Sequence, residues 1–393
     1  MEYNFDEQIN RERTACIKYD LRNEVFGNSD VIPMWVADMD FKTPLCVIDA
    51  IKKRLDHEIL GYTFRTDSFF GSITGWLRRR HGWNVKKEWI AFSPGIVPAL
   101  NLAVMAFTEP GDKIIVQKPV YFPFFPAIES HNRILVNNPL SFAGDRYEID
   151  FEDLLKKIDE GVKMIMFCSP HNPTGNVWKR EDLEKLAEIC LEHEILILSD
   201  EVHSDLIFKG SRHIPFASLD HDVSDITITC VAPSKTFNMA GLSASAVIIS
   251  NRSLKEKYDK ILEDIHVGGG NVFGFVALEA AYNNGEEWLE ALMEYLEENL
   301  RYLVRYLAEN IPLIKPVIPQ ATYLVWLDCR DLGLDEDELR KFMVRDAGLG
   351  LSDGLIFGSE GRGFQRMNIG CPKAVLMDAL HRLKNAVVQR FAQ

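Results

Sequence analysis

The amino-acid sequence predicts an α/β protein, with a mostly parallel central sheet covered by helices and a smaller α+β part. Three observations lead there. Apolar runs of strand length, such as Val162 to Cys168 and Ile195 to Leu198, are almost without polar residues, the pattern of strands buried on both faces. These runs alternate with segments of helical spacing, as where Leu183, Leu186, Ala187 and Cys190 recur between Lys179 and His193. Towards the carboxyl end Pro312, Pro316 and Pro319 interrupt the chain ahead of a new strand-like run, Tyr323 to Leu327.

Taken in order, Met1 to Phe26 is polar and reads as an arm or short helix. Ile32 to Phe41 mixes large apolar residues with Asp38 and Asp40. It reads either as a buried connection capped by Asp38 or as a loop lining a ligand cleft. Pro44 opens a helix striped by Val47, Ile48, Ile51 and Leu55, which Gly61-Tyr62-Thr63 ends. A second helix covers Phe69 to His81, and a third follows Pro94-Gly95-Ile96-Val97-Pro98 and runs to Phe107. The turn before it exposes free N–H groups, a natural seat for phosphate. Strands at Ile114 to Val116 and Ile134 to Val136 flank a helix over Phe124 to Ser130, and Phe151 to Ile158 is helical. The core closes with strands over Ile226 to Val231 and Ala244 to Ile249. The long helix Glu286 to Asn310, a helix over Glu336 to Asp346, a short strand at Arg366 to Gly370 and a last helix, Ala374 to Phe391, complete the chain.

Composition narrows the function. A chain of 393 residues with 47% apolar content can bury a large core, and a net charge of −14 with no basic stripe argues against a nucleic-acid surface. No stretch reaches the roughly 18 apolar residues of a membrane span. The amino terminus lacks the basic and apolar regions of a signal peptide. Seven scattered cysteines without a C-x-x-C pair suit a reducing, cytoplasmic setting. Cys168 and His171 have the spacing of two metal ligands, but no second pair completes a site, so no metal is expected.

The chemistry gathers after the strand-like runs. Asn172, Asp200 and Lys235 each follow one directly, and in parallel sheets the ligand crevice lies at those carboxyl ends. A lysine at such a rim is a candidate Schiff-base nucleophile, because burial or cationic neighbours keep its amine neutral enough to attack a carbonyl. Each residue also has an ordinary explanation: a solvated lysine, a capping aspartate, a turn-forming Asn-Pro.

Read together, Pro119-Val120-Tyr121, Asn172-Pro173-Thr174-Gly175, Asp200-Glu201-Val202-His203, Ser234-Lys235-Thr236-Phe237-Asn238 and Arg366-Met367-Asn368-Ile369-Gly370 resemble the fold type I enzymes that use pyridoxal 5'-phosphate (PLP). The likeness spans nearly the whole chain. Within that superfamily of class I/II aminotransferases, Met34 to Phe41 and Ser234 to Gly241 resemble the MalY/PatB group of cystathionine beta-lyases, or C-S lyases. The resemblance implies a large PLP-binding domain over 46–289, and a small domain made of the N-terminal arm, 1–45, and 290–393.

It also implies roles. Lys235 matches the lysine that carries the cofactor, Asp200 the carboxylate beside the pyridine nitrogen, Asn172 the amide on the ring oxygen and Tyr121 the ring stacked on the cofactor. Gly95, Ile96, Val97 and Ser234 fall at the phosphate. Many relatives carry hydroxyl residues where this chain has Val97 and Ala232, so backbone N–H groups must do more there. His203 stands where many aminotransferases have a tyrosine. Tyr62 matches a residue that reaches the neighbour's phosphate in a homodimer. Arg366 matches the clamp on the substrate α-carboxylate, and Ala37 lies in a loop that closes over the amino acid substrate. Phe122 and Phe125 are expected to shape the distal pocket. The implied reaction is β-elimination of a thiol from L-cystathionine or related S-substituted cysteines, giving pyruvate and ammonia. An aminotransferase, or a regulatory binding protein that keeps the fold, stands as the alternative.

Overall fold

Alternation of side chains within the apolar runs builds the centre of the molecule, a computed structural model that describes residues 3–391. Seven strands, β1 (Ile90–Ser93), β2 (Lys113–Val116), β3 (Ile134–Asn137), β4 (Val162–Cys168), β5 (Leu196–Asp200), β6 (Thr227–Val231) and β7 (Ser245–Ile249), form one sheet in the order β1-β7-β6-β5-β4-β2-β3. Pairing is parallel from β6 through β5, β4 and β2 to β3, while β7 runs antiparallel to β6 and β1. Met164, Met166 and Cys168 of β4 face one layer of core, with Ala99, Leu100 and Ala103 of α1 (Ile96–Phe107). Ile165 and Phe167 face the other, with Leu183, Leu186 and Cys190. The period-2 alternation of one strand thus serves two helical layers.

Past α2 (Pro233–Thr236) and α3 (Glu286–Asn310), a second, antiparallel sheet is built from β8 (Lys315–Val317), β9 (Leu324–Asp328), β10 (Ser352–Asp353) and β11 (Phe364–Asn368), in the order β8-β9-β11-β10. Gly175 fixes how the segment leading to β9 meets the first sheet. Its φ is +74° and a Cβ there would lie 2.3 Å from Pro319 Cβ, while its carbonyl accepts the N–H groups of Gln320 at 2.9 Å and Ala321 at 3.1 Å.

Several expectations are refined. The N-terminal arm, of which residues 1 and 2 lie outside the described part, holds two short helices, Ile17–Asp20 and Arg22–Phe26. Asp38 caps no helix and instead pairs with Arg11 at 2.7 Å. The helix after Asp335 passes into a π-helical turn over Phe342–Asp346. Strand β1 and the helices Arg252–Asp264 and Val272–Asn284 are absent from the sequence reading. The last of these buries Phe275, Ala277, Leu278, Ala280 and Ala281 around most of its circumference, so it carries no one-sided stripe to detect. Among the described residues no helix is long and apolar enough to cross a membrane.

Candidate active site

Three adjacent strands bring the predicted residues together. Cys168 pairs with Asp200, and Asp200 with Cys230, so the segments after β4, β5 and β6 open on one crevice. A cavity of about 200 Å³ lies there, lined by Ala37, Gly95, Ile96, Val97, Tyr121, Asn172, Asp200, His203, Ser234 and Lys235. Arg366 on β11 is not among those lining residues but donates Nη1–H to one of them, to Asn172 Oδ1 at 3.0 Å. Tyr62 stands apart, fully exposed between the exposed Leu60 and Phe64. Phe122 and Phe125 are not among the lining residues.

Pro233 starts α2, and Lys235 projects from that single turn. Its Nζ donates to the Ala37 carbonyl at 2.6 Å, which also accepts the Tyr323 hydroxyl at 2.9 Å. Burial lowers the amine to about 8; Asp38 opposes the shift, Arg366 adds to it, and Asp200 opposes it. A neutral, nucleophilic form is therefore accessible near neutral pH.

Asp200 ends β5, buried, with the Val202 N–H at 3.2 Å. Burial pushes its carboxyl up to about 7, against the Val202 amide and Lys235 and with Glu201. A buried carboxylate so sparsely provided with donors fits a cationic N–H such as a protonated pyridine. His203 is held neutral, lowered to about 3 by burial and by Lys235 and Arg366, and its Nδ1 makes no hydrogen bond. The Tyr121 phenol is pushed up to about 12, first by burial and then by Asp200, so an uncharged ring forms that wall. Asn172 spends its oxygen on Arg366, which leaves its NH₂ as the donor on the cavity side.

At the opposite end Gly95 precedes α1 with φ +149°, and Ser93 Oγ donates to its carbonyl at 2.8 Å. The first turn of this 12-residue helix thus presents its unpaired N–H groups to the cavity. Ser243, which the sequence reading misses, lines the same region in a left-handed conformation with φ +49°. This combination of an anion seat, a buried carboxylate and a lysine whose burial makes its neutral form accessible fits PLP.

The loop over 34–41 is stitched down by residues that sequence reasoning passed over as functional. Asn238 accepts Met39 N–H at 2.9 Å and donates to the carbonyls of Met39 at 2.8 Å and Phe41 at 2.7 Å. Asn368 donates to the carbonyls of Val36 at 2.7 Å and Asp38 at 2.6 Å. From the arm, Arg11 and the buried Lys18 reach Asp40 at 2.7 and 2.8 Å. The only signal in the sequence was that Asn238 and Asn368 lie inside the quoted motifs.

Fold and cavity together define an α/β enzyme of the PLP-dependent fold type I class. The aminotransferase class I and II family model matches residues 29–383, and the chain belongs to that family. It is 47% identical over 385 residues to the cystathionine beta-lyase PatB of Bacillus subtilis, covering 98% of this chain and all of that one. Protein MalY of Escherichia coli is 32% identical over 391 residues, 98% of this chain and 99% of that protein. The crystal structure of cystalysin from Treponema denticola, which contains PLP, superposes with a TM-score of 0.96 at 38% identity, over 99% of this chain and 100% of that one. The PLP-bound C-S lyase of Staphylococcus hominis gives 0.92 at 37% identity, over 99% of both chains.

Proposed function

We propose that this PLP-dependent carbon–sulfur lyase cleaves L-cystathionine and related S-substituted L-cysteines at the Cβ–S bond, releasing a thiol, pyruvate and ammonia. The cavity, which Lys235, lowered to about 8 by burial, lines together with Asp200 and Asn172, supports the cofactor chemistry that a lyase and an aminotransferase share. The observation that carries β-elimination is the 47% identity to a cystathionine beta-lyase over 98% of this chain. The kinship with cystathionine beta-lyases supports the choice of leaving group.

Lys235 would hold the cofactor covalently, Asp200 its ring nitrogen, Asn172 its ring oxygen and Tyr121 its face. The Gly95 to Val97 amides with Ser234 and Ser243 would hold its phosphate. When bound, PLP supplies an electron sink for the negative charge that forms at the substrate Cα. Arg366 receives the α-carboxylate and so orients the Cα–H bond. The Lys235 amine, released by the incoming amino group, takes the Cα proton. The Ala37 carbonyl holds that amine within reach of the cavity, and the Tyr323 hydroxyl holds the carbonyl. His203, kept neutral, adds no positive charge beside the ring.

The exposed Ile59, Leu60, Tyr62 and Phe64 form an apolar surface that suits burial against a second copy. We read it as the contact of a homodimer in which Tyr62 reaches the neighbouring site, in a cytoplasmic enzyme whose small part spans 1–45 and 290–393. The experiment is a product assay on PLP-loaded protein given L-cystathionine without a keto acid. Equal release of thiol, pyruvate and ammonia, lost in Lys235→Ala, is the expected result. Glutamate formed only when 2-oxoglutarate and an amino donor are supplied, without pyruvate, overturns the lyase reading in favour of transamination.

A further inference from the structure

Behind the cavity lies a buried carboxylate that the reaction does not use. Asp205 is 5% exposed and accepts from groups on two elements. Trp76 Nε1 lies 3.1 and 3.2 Å from its two oxygens, and His81 Nε2 2.9 Å from Oδ1. The Thr236 hydroxyl donates to Oδ2 at 2.9 Å. Thr236 is the residue after Lys235 and is wholly buried.

The arrangement is costly, since a buried charge needs full pairing. It is well paired: the carboxyl stays below its ordinary value although burial raises it, because His81, Thr236 and Arg80 lower it. Asp205 and His81 also line a separate polar cavity of about 420 Å³, together with Arg80, Lys209, Arg212 and Glu290. What the carboxylate holds is the turn that carries Lys235. α2 is only four residues long, with no side-chain cap at its start, and so short a helix cannot fix its own orientation. Trp76 supports the same turn by packing edge-on against Phe237, with centroids 5.6 Å apart.

We propose that Asp205 is a positioning residue for Lys235: held by Trp76 and His81, it fixes the Thr236 hydroxyl and so sets the direction in which the lysine enters the cavity. The proposal rests on Lys235 being the cofactor lysine. Asp205 touches neither substrate nor cofactor and acts only through Thr236.

The test uses Thr236→Val and Thr236→Ser in the full chain. PLP is added to PLP-free protein, and the product is trapped with borohydride at intervals and located by peptide mass spectrometry. Kinetics on L-cystathionine and melting temperatures accompany it. T236V should slow PLP fixation on Lys235 and lower kcat, each by about 10- to 100-fold, with KM within about 2-fold of wild type. T236S, which keeps the hydroxyl, should restore both rates. If T236V does not fold, Thr236→Ala, which removes the bond without pressing a methyl on the carboxylate, is compared with T236S in the same way. A hydroxyl-free variant that matches wild type overturns the proposal. So does a T236S as impaired as T236V, which would mean that packing alone matters. Pyridoxyl label on a different lysine of the wild type would instead overturn the assignment of Lys235.

Discussion

Replacing Arg366 by lysine tests recognition of the substrate carboxylate. A guanidinium has five N–H donors. Three are engaged within the chain, with Asn172 Oδ1 at 3.0 Å, the Trp35 carbonyl at 2.8 Å and Ser352 Oγ at 3.1 Å. Nε has no partner although it is buried, and the guanidinium packs 4.8 Å from the Phe357 ring centroid. Nε–H and one Nη1–H thus remain, on different sides of the guanidinium, and a bond from one of them to an α-carboxylate contributes about 1.5–3 kcal/mol. Lysine keeps the charge but places it on a differently shaped, shorter stem that does not reproduce that bond. The expected loss in kcat/KM is then about 10- to 100-fold, since about 1.4 kcal/mol is a factor of ten. The assay compares KM for L-cystathionine with competitive inhibition by an S-alkyl cysteamine, which has the amine and thioether but no carboxylate. Arg366→Lys should weaken only the former, while the visible band formed with PLP persists. Equal weakening of both ligands, or an unchanged KM, would refute the reasoning.

Other perturbations test the remaining parts. PLP fixation by Lys235 should quicken as pH rises through about 8, because burial lowers the amine to that value. A profile that climbs only near the ordinary lysine range contradicts this. Asp200 is raised from 3.8 to about 7, so the folded PLP-free protein holds a proton that the unfolded chain has lost, and this group's contribution to stability falls as pH rises across that window. Asp200→Asn should flatten the fall in denaturant melts between those pH values while removing most activity; an unchanged slope counts against the buried carboxyl. Asn238→Ala removes three bonds to the loop at Met39 and Phe41, and should lower kcat through a loosened Ala37 carbonyl with PLP binding retained. A mixture of inactive Tyr62→Ala and Lys235→Ala proteins should regain activity if each dimer pairs one intact Tyr62 with the other copy's intact Lys235. No recovery from demonstrably mixed dimers argues against a Tyr62 that crosses the interface.

Much of the site was legible because its signals are local. Asn172, Asp200 and Lys235 stand just past apolar runs, and a parallel sheet aligns the carboxyl ends of its strands whatever the intervening helices do. Gly95 ahead of the apolar α1 was readable for the same reason. Less visible were segments whose burial has no periodic imprint. Val272–Asn284 is apolar on nearly every side, and Arg252–Asp264 is so charged that its buried Tyr258 and Leu262 do not stand out.

Local pattern in the chain set the alternating α/β fold and which functional groups sit at the sheet's carboxyl edge, since side-chain period and strand ends are properties of short stretches. What surrounds those groups was left to long-range packing. The carbonyl on Lys235 comes from Ala37, 198 residues away, and the hydroxyl that shares it comes from Tyr323, 286 residues from Ala37. Trp76 and Thr236 meet on Asp205 across separations of 129 and 31 residues. Such contacts depend on how whole layers pack, and no local pattern encodes a partner at that distance.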